Sequence, residues 1–275
     1  MKTRPLSKTI MTLASLACVA TGAMAQTPAP AEPESTLAYN IGVVSEYRYR
    51  GISQSRFQPA VQGGVDYTDK SGFYVGAWAS QIKWISDNSD PAAGGIKVKG
   101  DVELDLYGGY KFSLGDVAMD VGFLRYEYVN NTLAKLGTYK NPNTNEIYAA
   151  ATVGIFTAKY SYALTDLFGQ YDFANKRSSK GSDFIDLNAT FDLGNGFTLV
   201  PQVGRQTVKN IANASYTQTS LTLNKDMGGG FVVSVTAHET DAKTMGGYYV
   251  GDSGGSQKGK NTGKSAIVLG VKYTF

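Results

Sequence analysis

Cysteine and histidine are nearly missing. The 275 residues contain one of each, Cys18 and His238. That leaves no Cys/His set for a structural zinc or a haem, and no disulfide framework. Charge is sparse too: Asp, Glu, Lys and Arg make up 18% of the chain, against about a quarter in ordinary soluble domains. Three of the 26 basic residues, Lys2, Arg4 and Lys8, fall within residues 1–25, and the rest balance the 23 acidic ones. With no basic run there is no electrostatic footprint for nucleic acid. No segment after the N-terminus has the 18 or more apolar residues of a membrane helix. Glycine (32 residues) and tyrosine (18) are abundant instead, which points to an all-β chain.

Residues 1–25 read as a secretory signal peptide. A basic start precedes an apolar stretch from Ile10 to Ala20, and Ala23-Met24-Ala25 places cleavage between Ala25 and Gln26. Ser15-Leu16-Ala17 ahead of Cys18 lacks the usual Leu three residues before a lipid-modified cysteine, so the thiol is expected to leave with the signal. Residues 26–36, with Pro28, Pro30 and Pro33, form a polar extended lead-in, and 37–275 form the folded domain.

That domain alternates with a period of two, the signature of strands with one apolar and one polar face. In the last segment Ile267, Leu269, Val271, Tyr273 and Phe275 oppose Ala266, Val268, Gly270, Lys272 and Thr274. Segments 231–240, 184–192 and 101–110 alternate as clearly. Eight more strands are expected at about 37–49, 59–67, 73–84, 117–129, 146–153, 156–163, 197–208 and 216–226. Two are awkward. In 117–129, Val121 and Phe123 share a face with Arg125 and Glu127, suggesting a bulge or a change of environment. Pro201 sits inside 197–208, where it removes a ladder hydrogen bond.

Connections after the even-numbered strands are short, such as Ser113–Asp116 and Leu193–Gly196. Those after the odd ones are mostly long and polar, such as Leu164–Ser182 and Asp241–Lys264. Transmembrane β-barrels show this asymmetry, with short periplasmic turns and long outer loops. Tyr67, Phe73, Phe191, Phe197, Phe231 and Phe275 flank the short-turn end, as an interfacial girdle of rings would. In hydrocarbon every backbone N–H and C=O needs a protein partner, so strands can span only as a closed barrel. The expected fold is therefore an all-β, transmembrane, antiparallel up-and-down β-barrel of twelve strands. The alternating C-terminal run ending in Tyr273 and Phe275 resembles the signal read by the outer-membrane barrel assembly machinery.

Ser45-Glu46-Tyr47-Arg48-Tyr49-Arg50-Gly51-Ile52-Ser53-Gln54-Ser55, Pro59-Ala60-Val61-Gln62-Gly63-Gly64-Val65-Asp66-Tyr67 and Gly72-Phe73-Tyr74-Val75-Gly76-Ala77-Trp78-Ala79-Ser80 carry a family resemblance. Glu103-Leu104-Asp105-Leu106-Tyr107-Gly108-Gly109-Tyr110 continues it. The N-terminal half resembles the TorF-type porin family of proteobacterial outer-membrane proteins; the second half is similar mainly in strand rhythm. The resemblance implies export, a β-barrel and a channel role, with no catalytic residue.

Inward faces are expected to carry Glu46, Arg48, Asp66, Asp101, Glu103, Asp105, Arg125, Glu127, Lys159, Asp186, Asp192, His238 and Lys272. Asp101, Glu103 and Asp105 on one strand would make an acidic stripe favouring cations, unless Arg48, Arg125 or Lys159 pairs with it. The alternative is a network that merely fills the lumen. The expected function is a porin-like channel for passive diffusion of small polar solutes or ions, in contact with outer-membrane lipid and the assembly machinery. No cofactor, metal or nucleic acid is implied. The competing reading is a non-conducting structural or adhesive barrel acting through its loops. An enzymatic barrel built on His238 and Ser234 is set aside, because a lone histidine on a polar face is ordinarily solvated or hydrogen-bonded.

Overall fold

The computed structural model describes residues 35–89, 95–242 and 261–275. The signal peptide, the Ala25–Gln26 cleavage site and nearly all of the lead-in lie outside these residues. The wall consists of β1 (Ser35–Val44), β2 (Ala60–Asp69), β3 (Phe73–Gln81), β4 (Val102–Leu114), β5 (Val117–Tyr128) and β6 (Thr144–Val153). It continues with β7 (Phe156–Ala163), β8 (Asp183–Ala189, resuming at Phe191–Gly194), β9 (Phe197–Thr207), β10 (Tyr216–Gly228), β11 (Phe231–Thr240) and β12 (Ala266–Thr274). Each strand pairs antiparallel with its sequence neighbours. β12 returns to β1 from Asn40↔Thr274 to Val44↔Gly270, so the sheet closes. This is the expected twelve-strand up-and-down barrel.

Alternation sets the two faces. Outward residues form a continuous apolar belt, from Val121 at 37% exposure to Ile267 at 71%. An apolar surface of that extent is not tolerated against water. A strand of about ten residues at about 3.3 Å each, tilted near 45°, covers about 23 Å, which matches the apolar band of an outer-membrane barrel. Tyr67, Phe73, Phe191, Phe197, Phe231 and Phe275 are all exposed and ring the short-turn end. Inside, rings lie flat over cross-strand glycines: a Cβ on Gly76 would meet the Tyr107 ring at 2.5 Å, and one on Gly122 the Tyr148 hydroxyl at 2.5 Å. These glycines give the tyrosines room on the inner face of the wall.

One expectation is corrected here, and one pair of alternatives is decided. β1 ends at Val44 rather than 49, so Tyr47 and Tyr49 leave the outward face of Leu37, Tyr39, Ile41 and Val43. Of the two alternatives for β5, the bulge fails and the change of environment holds: its register with β4 runs unbroken from Glu103↔Tyr128 to Leu114↔Val117, and Arg125 and Glu127 pair at its long-loop end. Pro201 also finds its account. It pairs in register with Leu221 of β10, while on the other side β8 is interrupted at Thr190. The 188↔202 and 191↔199 pairings place that interruption opposite Val200 and Pro201, on the side where the ladder lacks a donor.

The seam at the short-turn end is stitched by rings as well as by the backbone. Phe231 stacks on Tyr273 at 4.4 Å, Tyr273 on Phe275 at 5.5 Å, and Phe275 on Tyr39 at 5.7 Å. Tyr39 and Phe275 also exchange two backbone hydrogen bonds of 3.0 Å. Replacing Tyr273 and Phe275 together by serine should cost about 1–3 kcal/mol and lower the folded fraction. The band shift between heated and unheated samples on a gel measures this; an unchanged folded fraction would contradict the role given to the seam.

Candidate functional site

The chain between β1 and β2 does not rise away from the barrel; it turns into it. Arg48–Tyr49 and Ile52–Ser53 form a two-stranded ribbon, with Arg48↔Ser53 and Tyr49↔Ile52 paired. Its two turn residues, Arg50 and Gly51, both have positive φ, 47° and 79°. That is the backbone of a type I′ hairpin, whose first position favours Asn, Asp or Gly. An arginine held there is strained, so something outside the hairpin must hold it.

Three strands do so. The Arg50 guanidinium donates from Nη1 and Nη2 to the Glu146 carboxylate of β6, at 3.1 and 2.7 Å. Nη1 also donates to Gln206 Oε1 of β9 at 2.7 Å. The Phe184 ring of β8 lies 4.4 Å from the guanidinium carbon, and the Tyr49 ring 4.8 Å. Burial opposes the charge on Arg50, but Glu146 together with the Tyr49 and Tyr126 phenols outweighs it and holds the guanidinium pKa well above its usual value. Gln206 is oriented in turn by donating to the Asp183 and Thr207 carbonyls. On the opposite flank, Arg48 donates to the Lys264 carbonyl at 2.8 Å, and Ser53 N–H to Thr262 O at 2.9 Å. The hairpin therefore bridges the lumen from the β12 side to β6, β8 and β9.

Beneath and beside it the long-loop half of the barrel is packed. Tyr47, Trp78, Tyr126, Tyr128, Ile82, Ile85 and Leu133 form one buried cluster, with Tyr49 and Phe168 against it. Tyr47 donates to Glu103 at 2.6 Å; burial, then the neighbouring carboxylates, raise its phenol pKa well above the usual value. Tyr49 and Tyr126 share a short hydroxyl contact, and Tyr126 donates on to Glu146 at 3.2 Å. Burial also raises the Asp87 carboxyl, against the opposing pull of Arg56 3.9 Å away.

The residues singled out from sequence separate into groups. Glu103, Asp105, Lys159, Asp186, His238, Lys272 and Asp66 project from inward-facing strand positions. Asp66 accepts from the Tyr107 hydroxyl, Asp186 from Gln202, and Lys159 sits 3.9 Å over the Tyr148 ring. Glu46 and Arg48 belong to the inserted loop and pair with each other at 3.0 Å. Arg125 and Glu127 stand corrected. Leu124, Tyr126 and Tyr128 take the inward positions, so Arg125 and Glu127 face outward near the long-loop end and pair with each other. Asp101 lies before β4, half-exposed, bound to Lys83 and Ser86, so the acidic stripe reduces to Glu103 and Asp105. Asp192 is exposed at the short-turn end, where it accepts the Gly194 N–H.

Sequence reasoning missed Arg50, Glu146, Gln206 and Asp120. The alternation in β6 could have flagged Glu146, which opposes Ile147, and that in β5 Asp120, which opposes Val121. Asp120 accepts from Tyr74 at 2.7 Å, and Tyr74 contacts the Tyr148 hydroxyl. Nothing in the period-two pattern could have placed Arg50, because it belongs to no wall strand.

Comparison with known proteins adds a family. The model of a family described as bacterial protein of unknown function (Gcw_chp) matches residues 28–275. No curated protein matches the chain. Among solved structures, the chain is similar to a KdgM porin in complex with disordered oligogalacturonate, at 8% identity and a TM-score of 0.49 over 88% of this chain and 99% of that one. It is also similar to the COG4313 outer membrane channel from Pseudomonas putida F1, at 14% identity and 0.43 over 90% and 99%. A third is an anion-selective porin from Comamonas acidovorans, at 11% identity and 0.38 over 88% and 99%.

Breaking the Arg50–Glu146 pair should free the hairpin without unfolding the wall. Removal of one partner from a buried ion pair costs about 3–5 kcal/mol. Arg50→Ala and Glu146→Gln should each make residues 45–59 susceptible to trypsin in detergent-folded protein, where the wild type resists; equal resistance in all three would contradict the latch.

Proposed function

We propose that this chain, which belongs to the Gcw_chp family of bacterial proteins, is a porin-like outer-membrane channel for passive diffusion of small polar solutes or ions, occluded at its outer end by the Arg48–Ser53 hairpin. One observation carries the reading. The segment that fills the lumen is not part of the wall: it is held by hydrogen bonds and one bidentate ion pair, contacts that can be broken and remade. Below it the interior is lined by small and polar side chains, among them Ser220, Thr222, Asn224, Ser234, Thr236 and Gly270. An apolar belt outside and a polar inner face are what a membrane pore requires.

The remaining parts of the reading are consistent with it. The long-loop end faces outward and the short-turn end faces the periplasm. Residues 1–25 direct export and are cleaved before Gln26. The Tyr273–Phe275 end engages the assembly machinery, and outer-membrane lipid covers the belt. The TorF-type resemblance of Ser45–Ser80 falls on the inserted hairpin and on β2 and β3, so part of what carries it is the segment that occludes the lumen.

A second reading is favoured by the buried cluster around Tyr47, Trp78 and Tyr126: a barrel sealed by packing, acting through its loops. Planar-bilayer recording separates the two. Purified protein should give discrete steps, and replacing Arg48–Ser53 by a short Gly-Ser link should raise the step size several-fold. A salt gradient across the bilayer reads the ion preference. Flat traces from both proteins, each folded by its heat-shifted band, would overturn the channel and leave the loop-acting barrel.

A further inference from the structure

Four carboxylates are buried in the packed half of the barrel: Glu46, Glu103, Asp105 and Glu146. Two have cationic partners, Arg48 for Glu46 and Arg50 for Glu146. Glu103 has none; it accepts from the phenols of Tyr47 and Tyr128. Two phenols donating to one carboxyl group match its ionised form, which accepts at both oxygens and has no proton to give. Two residues along the same inward face stands Asp105, fully buried, with neither oxygen hydrogen-bonded. In its row of the wall it lies between Trp78 of β3 and Tyr126 of β5. The charges that bear on it are those of Glu103 and Glu146, both of its own sign.

A buried carboxylate without a partner is among the costliest arrangements a fold can hold. Here two adjacent ones lack a cation, so the missing component is positive. Its size and charge are limited by the donors. Among the described residues no three acidic, histidine or cysteine side chains converge closely enough to hold a metal ion, which argues against a divalent chelate. Two carboxylates flanked by phenolic oxygens suit a single, loosely coordinated monovalent ion.

We propose that Asp105 and Glu103 form a binding site for one small inorganic monovalent cation of the Na+ or K+ class, seated inside the barrel beside the inserted hairpin. The site does not depend on conduction. It would neutralise the wall where Tyr47, part of the same inserted loop, docks on Glu103, so occupancy stabilises the closed arrangement whether or not the barrel is a pore.

The test uses the detergent-folded protein and two salts of equal ionic strength, sodium chloride and N-methylglucamine chloride. Ligand that binds the folded state alone raises the melting temperature with its concentration. The wild type should melt higher in sodium chloride, with a saturable dependence on Na+. In Asp105→Asn and in Glu103→Gln, both near-isosteric, the half-saturating concentration should rise about tenfold or more, or the dependence should vanish. Equal melting of the wild type in both salts would overturn the site, as would an unchanged Na+ dependence in both variants. A stability that follows pH but not Na+ would also overturn it, because the occupant would then be a proton. Bilayer currents are not involved, so failure of this site and failure of the channel reading are told apart.

Discussion

A backbone that faces hydrocarbon must satisfy all its hydrogen bonds within the protein, and the rest of this structure follows from that requirement. Closure of β12 onto β1 removes the last open edge. Because the strands alternate, closure also decides the chemistry of both surfaces at once: Ile267, Leu269 and Val271 must face out, so Val268, Gly270 and Lys272 must face in. The wall departs from full pairing at Pro201, and there β8 itself breaks at Thr190.

Closure sorts side chains by face but does not fill the space it encloses. Two solutions operate at the two ends. Toward the short turns, tyrosines lie over cross-strand glycines, as Tyr107 does over Gly76 and Tyr148 over Gly122. Toward the long loops, residues 45–59 fold inward and carry Tyr47, Tyr49 and Arg50 into contact with β4, β5, β6, β8 and β9. The hairpin tip is conformationally unfavourable for arginine, and the Glu146, Gln206 and Phe184 contacts offset that strain. An interior segment whose turn is strained and whose anchorage is polar suits a closed state that can be left.

How much of this could be read from the sequence depended on whether a residue belonged to the wall. All twelve strands and the asymmetry of their connections follow from period-two alternation, because in a barrel each side chain's face is a local property. Arg125 and Glu127 show where that rule was misapplied. Their parity with Val121 and Phe123 already placed them outward, and no bulge was needed, because a strand that rises past the apolar belt can carry charge on its outer face. The first loop was not legible. Its strand-like composition extended β1 to residue 49, and the inward turn is set by partners 96 and 156 residues away, Glu146 and Gln206. No local pattern encodes contacts at that separation.

The central claim of the channel reading is that the buried Arg50–Glu146 ion pair is the decisive tie, beside the Gln206 and Phe184 contacts, by which the inserted hairpin occludes the lumen. Conductance of a charge-swapped pair tests it most directly. Arg50→Glu and Glu146→Arg should each raise single-channel conductance or open probability, because like charges then meet across the latch. The double variant should return most of the way to the wild-type trace. If both single variants conduct as the wild type does, or if the double variant is as open as either single, the pair is not what holds the hairpin in place.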